Sequence, residues 1–287
     1  MVLNQKWHNN LPISDIVSIS PVAGGDVNDA YKVETKSKEY FLLVQPNRTE
    51  AFYLSEAAGL KKFAEIGVNA PKVISSGEID GDAYLLLSFI DEGSGSQADL
   101  GHMVAKLHLE HNENGQFGYD FPHEGGDMTF DNAWTDSWIE LFVERRLDVI
   151  RDIVLERGYW NKDDLDLYDK TRQVIVKTLE NHNSKPSFLH GDLWAGNYMF
   201  ERDGTPVLFD PSPFYGDREF DLGATTVFGG FSGDFYDAYD EAYPLEADAW
   251  KRIRFYKFYL IFVHLAKFGG LYKSSCKELM MDIISEA

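Results

Sequence analysis

The chain has 287 residues, enough for one large domain or two small ones. Hydrophobic residues make up 44% of it and aromatic residues 14%, so it can build a sizeable core. Its 47 acidic and 27 basic residues leave a formal charge of −20. That charge argues against nucleic acid or an anionic membrane as a partner, and it suits either solubility or a cationic, amine-bearing substrate.

Ile16 to Val22 alternates apolar and polar residues and predicts a strand. Gly24-Gly25-Asp26 follows, then two further strands over Ala30 to Val33 and Tyr40 to Val44. Thr49-Glu50 opens a helical stretch that runs through Ala64. Val73 to Ser75 and Ala83 to Phe89 are strands joined by the turn signal Asp80-Gly81. Glu92-Gly93-Ser94-Gly95-Ser96 has the composition of a linker and sets the expected boundary between a first lobe, 1–91, and a second, 92–287. The second lobe reads as helical: Leu100 to His108, Asp136 to Leu155, Asp163 to Leu179, Arg218 to Phe228 and Ala247 to Ala266. The expected fold is α+β, with a small antiparallel-sheet lobe and a larger helical one.

A single cysteine, Cys276, cannot form an internal disulfide, and no apolar segment of signal-peptide type opens the chain. Phe255 to Leu265 is broken by Lys257 and His264 and is too short to span a bilayer. A soluble, cytoplasmic protein is expected. Its oligomeric state is not legible.

The most informative stretch is Leu189-His190-Gly191-Asp192-Leu193-Trp194-Ala195-Gly196-Asn197. Asn197 stands five residues after Asp192, the Asp-to-Asn offset of a protein-kinase catalytic loop. A second acid, Asp210, follows thirteen residues later, beyond the turn Arg202-Asp203-Gly204-Thr205. Phosphoryl transfer needs such a set: a carboxylate for the proton of the attacking hydroxyl, and hard oxygen donors for the Mg²⁺ that accompanies ATP. Asp192 is the expected base, Asn197 and Asp210 the expected metal ligands, and His190 a structural residue of the loop. Gly24 and Gly25 fit either a phosphate-approaching loop or an ordinary hairpin turn, with Asn28 as a possible side-chain donor. Of Asp217 and Asp221, one is expected to brace the catalytic loop through backbone N–H groups; both also fit a helix N-terminus. Phe89 and Ile90, at the end of the last strand of the first lobe, complete the expected nucleotide contacts.

Leu189 to Asn197, Asp210 to Leu222, and Trp134 to Trp138 with Glu144 to Leu147 resemble the fructosamine-3-kinase (ketosamine-3-kinase) family over nearly the whole chain. The resemblance implies a two-lobed protein-kinase-like fold and ATP-dependent phosphorylation of a sugar hydroxyl on a ketoamine, which destabilises the adduct and frees the amine. It also implies an acceptor site that includes Trp194 and Asp217. One position departs from the family pattern. The third strand carries a lysine there that pairs with nucleotide phosphates and with a helix glutamate. Here the run is Phe41-Leu42-Leu43-Val44-Gln45, so Leu43 replaces that lysine while the glutamate remains as Glu56. Lys32 on the neighbouring strand is one candidate to supply the charge. The alternatives are another amino-sugar or aminoalcohol kinase of the same fold, or a catalytically impaired binding protein.

Overall fold

The computed structural model describes residues 3–22, 28–125 and 128–286. Gly24 and Gly25 lie outside them. The chain divides into two compact units, one of Met1–Ser96, Glu124–Met128 and Tyr198–Pro211, the other of Gln97–His123, Thr129–Asn197 and Ser212–Ala287.

The first unit is built on five antiparallel strands, β1 (Ile16–Pro21), β2 (Asp29–Thr35), β3 (Glu39–Gln45), β4 (Val73–Ile79) and β5 (Asp82–Ser88), in the order β1-β2-β3-β5-β4. The β4–β5 turn puts Asp80 at φ 58° and Gly81 at φ 89°, the left-handed pair that a two-residue hairpin requires. Side chains alternate along β3, so Leu42 and Val44 join a cluster with Tyr31, Val33 and Leu86. A short helix, α1 (Gln5–Asn10), covers that cluster with Trp7, and Leu11 follows it in. Each such fully buried side chain contributes about 1.5–3 kcal/mol. Nothing in the polar run Gln5–Asn10 announced this helix; Asn4 caps it by accepting a hydrogen bond from Lys6 N–H at 2.9 Å. Leu43 and Gln45 face the other way. Leu43 is 7% exposed and has Ala30 and Leu85 as its cross-strand neighbours. Helix α2 (Leu54–Glu65) packs against β4 through a face that includes Ala57, Leu60, Phe63 and Glu56. Tyr198–Phe200 and Pro206–Leu208 form the expected hairpin, tied to the unit by Leu208 N–H donating to Asn69 O at 3.0 Å.

The second unit is helical. Helix α3 (Gln97–His108) packs on α7 (Gly233–Ala242) where Gly101 lets the backbones close up; a Cβ there would lie 2.3 Å from Phe235 O. The helix expected from Asp136 is a wide π-helical turn over Glu140–Leu147 that runs into α4 (Asp148–Glu156). Inside that turn the buried Arg146 guanidinium donates to Leu141 O at 2.9 Å and to Asn132, and it stacks over Phe214 at 4.3 Å. Helix α5 (Lys162–Glu180) starts at a reciprocal cap: Asn161 Oδ1 accepts from Asp164 N–H, and Asp164 Oδ2 accepts from Asn161 N–H, both at 3.1 Å. The short helix α6 (Glu219–Thr225) lies on α8 (Ala249–Phe268). Helix α8 buries aromatic residues round most of its circumference, as its sequence led one to expect, against Trp138, Phe142 and Phe220. Helices α7 and α9 (Lys273–Ser285) were not anticipated. No helix among the described residues is long and apolar enough to cross a membrane.

Candidate active site

In the second unit, strand Ser187–Leu189 pairs with Phe214–Gly216 and delivers the catalytic loop at its end. Gly191 takes φ +82°, and a Cβ on it would fall 1.8 Å from Ser212 O. Only glycine fits there. Asp221 is fully buried and clamps the loop from α6. Its Oδ2 accepts from His190 N–H at 2.7 Å and its Oδ1 from Gly191 N–H at 2.9 Å. Of the two acids expected to supply the brace, Asp221 is the one that does. It is oriented in turn by His108, whose Nε2–H donates to Asp221 Oδ2 at 3.1 Å while Nδ1 accepts from Tyr239 O–H at 2.9 Å.

Asp192 is half-buried. The Asn197 side chain donates from Nδ2 to Asp192 O at 2.8 Å and to Asp192 Oδ2 at 3.1 Å. Its amide nitrogen thus orients the proposed base, and its amide oxygen is left as the hard donor a Mg²⁺ would use. His190 is fully buried and accepts from Asp192 N–H at 3.3 Å through Nδ1, a loop-forming contact. Trp194 is 38% exposed beside Asp192, its indole lying across Gly196, where a Cβ would meet the ring at 2.2 Å.

Asp217 is satisfied by the protein. It is almost wholly buried, its Oδ2 accepting from His182 Nε2–H at 2.9 Å and Ser184 O–H at 2.7 Å, its Oδ1 from Glu219 N–H at 2.9 Å. Burial pushes its carboxyl up; the hydrogen bond and charge of His182, helped by Ser184 and Glu219 N–H, more than offset this, and the net shift is downward. These contacts give Asp217 a framework role. His182, Asp217 and Glu219 are close enough to suggest a metal centre, but Glu219 is held by Arg252 at 2.6 and 2.8 Å and Asp217 by the contacts above. The two carboxylates and His182 Nε2 are spent on the protein, and His182 Nδ1 lies 3.3 Å from Glu246 Oε2.

In the first unit, Asp210 has φ +54°, a left-handed backbone that a non-glycine residue adopts only where its surroundings impose it. Desolvation raises its carboxyl, although the residue keeps an exposed surface and water offsets part of that effect. An oxygen pair lacking a counter-charge is a fitting partner for a divalent cation. Asn28 Oδ1 accepts from Tyr53 O–H at 3.0 Å. Phe89 and Ile90 follow β5, partly buried. Glu56 is buried on α2, and its Oε1 has no hydrogen-bond partner among the described residues; the same holds for Gln45 Oε1. Burial, then the charge of Asp210, hold the Glu56 carboxyl well above the usual carboxylate range. Lys32 does not answer that need. Its ammonium lies 2.8 Å from Glu39 and 3.5 Å from Glu34, above the Phe89 ring at 4.8 Å.

These two units and this loop define a phosphotransferase of the protein-kinase-like α+β fold. Choline kinase from Streptococcus pneumoniae is similar in fold alone, with a TM-score of 0.61 at 12% identity, covering 96% of this chain and 95% of that one. Residues 2–286 match the family model for fructosamine kinase, and the chain belongs to that family. It is 55% identical over 285 residues to the Staphylococcus aureus protein named "Probable ketoamine kinase", covering 99% of both. A Haemophilus somnus crystal structure solved under the name fructosamine-3-kinase is similar with a TM-score of 0.83 at 27% identity, covering 94% of this chain and 92% of that chain.

Asp221 was legible only as one of two acids, because its partners His190, Gly191 and His108 are distant in sequence. The contact of Trp194 with Phe228, 6.3 Å between ring centroids, carried no sequence signal.

Proposed function

We propose that this protein is an ATP- and Mg²⁺-dependent ketoamine kinase that phosphorylates a sugar hydroxyl of a fructosamine or ribulosamine, on a metabolite or a glycated protein, and so promotes deglycation. The observation that carries this reading is Asp192, held by the Asn197 side chain on a loop clamped by Asp221. Asp192 accepts the proton of the acceptor hydroxyl as its oxygen attacks the γ-phosphorus; the bond to the β-phosphate oxygen breaks, and ADP leaves. Asn197 fixes the direction of the Asp192 carboxylate. By motif position Asn197 Oδ1 and the Asp210 carboxylate would hold Mg²⁺, which when bound neutralises phosphate charge. Trp194 offers a flat apolar face to the sugar ring. Asn28, Glu56, Phe89 and Ile90 belong to the nucleotide side. The kinship with a protein named for ketoamines supports the acceptor class.

The test is transfer from ATP to a fructosyl- or ribulosyl-amine, followed by ADP release and by ³¹P NMR of the product, against the free sugar. Preference for the amine adduct is expected, and equal rates on both would count against the reading. One observation favours a second reading, a catalytically impaired binding protein: Glu56 Oε1 has no hydrogen-bond partner among the described residues, and Leu43 stands where the family pattern has the lysine that would pair with it. Intact nucleotide binding with no turnover on any acceptor would establish it.

A further inference from the structure

An exposed aromatic row runs outward from the catalytic loop in the second unit. Trp194 meets Phe228 edge-on, with centroids 6.3 Å apart, and Phe228 meets His264 at 4.9 Å. His264 then contacts Phe268 at 5.4 Å and Tyr272 at 5.2 Å, and those two rings lie 6.3 Å apart. The row joins three elements remote in sequence: the loop of Asp192, the segment after α6, and the end of α8 with the turn that follows. Core aromatics lose their exposure, yet Trp194 keeps 38%, Phe228 46% and Phe268 58%. Scattered exposed apolar residues need no explanation, whereas a connected set that begins beside the proposed base does. His264 donates through Nδ1–H to Leu260 O at 2.8 Å, which fixes its ring in the row. Burial lowers its pKa against the opposing Leu260 hydrogen bond, with Lys267 adding to the downward shift, which favours the uncharged ring that continues the apolar face.

A ketoamine has two ends. Its sugar must place a hydroxyl at Asp192, and whatever the amine carries must leave the site along the surface next to that loop. Resting on the ketoamine reading above, we infer that Phe228, His264, Phe268 and Tyr272 form a subsite for an apolar amine substituent of the acceptor, an alkyl chain or an aryl group. Aromatic faces hold such groups by apolar contact and also favour the adjoining ammonium. The row then determines specificity among ketoamines while the loop performs the transfer.

The experiment is a series of adducts sharing one sugar and differing only at the amine: glycine, propylamine, hexylamine and benzylamine. The kcat/KM ratio of the benzylamine to the glycine adduct is expected to be roughly tenfold or more, the scale of a modest apolar contact in specificity. In F268A, and separately in F228A, the ratio should fall several-fold with the melting temperature within a few degrees of the parent. A flat series, or a rising one that both variants retain, overturns the subsite and leaves the kinase reading standing. If no ketoamine is phosphorylated, the kinase reading fails instead, and binding of benzylammonium decides the subsite by itself. Calorimetric binding that is weakened in F268A upholds it, and no binding overturns it. Sedimentation of the parent and F268A covers the remaining occupant: a dimer that F268A dissociates would assign the row to a second copy of the chain and overturn the inference.

Discussion

Placing a lysine at Leu43 puts the unusual nucleotide side of this kinase to the sharpest test. Leu43 is buried with Ala30 and Leu85 as cross-strand neighbours, so a lysine stem keeps much of the apolar contact that leucine makes. In the family pattern such a lysine pairs with the helix glutamate, here Glu56, whose Oε1 has no hydrogen-bond partner among the described residues, so the new charge need not be buried alone. A hydrogen bond to a charged group is worth about 1.5–3 kcal/mol. At about 1.4 kcal/mol per factor of ten, Leu43→Lys should tighten nucleotide binding or raise kcat by roughly ten- to a hundredfold. Leu43→Met controls for shape, and L43K in an E56Q background should lose most of the gain. Calorimetric nucleotide affinity, ADP release and a thermal melt are the assays. A folded L43K protein whose affinity and kcat both stay within about twofold of the parent would refute the reasoning and mean that another group already supplies the charge, with Lys32→Ala as the follow-up. The pH dependence provides a second readout. Because burial and Asp210 raise the folded-state pKa of Glu56 above 4.5, the folded chain retains a proton that the unfolded chain has released. Stability from this group is therefore full below the ordinary glutamate pKa and is lost as pH rises toward the folded-state value. L43K and E56Q should each flatten that decline at pH values above the ordinary glutamate range, the lysine by lowering the Glu56 pKa and the glutamine by removing the titration.

Asp192→Asn should preserve the fold and lower kcat by about a hundredfold or more, since it removes proton acceptance and little else; steady-state kinetics with a thermal melt separate the two effects. Asp210→Asn should weaken the Mg²⁺ dependence of the rate and abolish most turnover, read from a metal titration. Gly191→Ala puts a Cβ 1.8 Å from Ser212 O at a positive φ, so soluble yield, melting temperature and activity should all fall together. Asp221→Asn exposes the donors on His190, Gly191 and His108 to a mismatched amide, with a loss of about 1–3 kcal/mol in denaturant unfolding and a lower kcat at nearly unchanged nucleotide KM.

The five-stranded sheet was legible because Ile16 to Val22 alternates, the later strands are short apolar runs and Asp80-Gly81 marks a tight turn; even the hairpin after Asn197 could be placed from Asp203-Gly204. Helices that show no strong apolar stripe were not. The run Gln5–Asn10 is polar apart from Trp7 and becomes a helix because Trp7 has a sheet face to bury against. The first unit also takes in Tyr198–Pro211, far along the chain, since Asn69 reaches that hairpin through Nδ2–H to Glu201 at 2.8 Å and Pro206 O at 3.2 Å. Chain order alone cannot express such a return. Within the site, the spacing of Asp192, Asn197 and Asp210 was legible because phosphoryl transfer restricts it. The framework contacts of Asp217 were not legible because its partners His182 and Ser184 precede it by more than thirty residues and lack any local pattern.

The charge pattern of the interior explains why Glu56 matters more than an unpaired acid on the surface would. Asp164 is met by Lys273 and Lys277 at 2.8 Å, Glu219 by Arg252, Asp217 by His182 and Ser184, and Asp221 by two backbone N–H groups and His108. Each buried acid that frames the second unit has its donors, as the cost of desolvating a carboxylate demands. In a chain of charge −20 that is a deliberate use of scarce cations. Glu56 is treated differently: it is sunk into the first unit beside the electrostatic reach of Asp210, without an ion pair among the described residues. An acid kept in that state destabilises the ligand-free fold and is satisfied only when a cation or a proton arrives. Local rules broken without compensation mark places where function rather than folding sets the residue. On that logic the nucleotide side of this kinase is completed by what it binds.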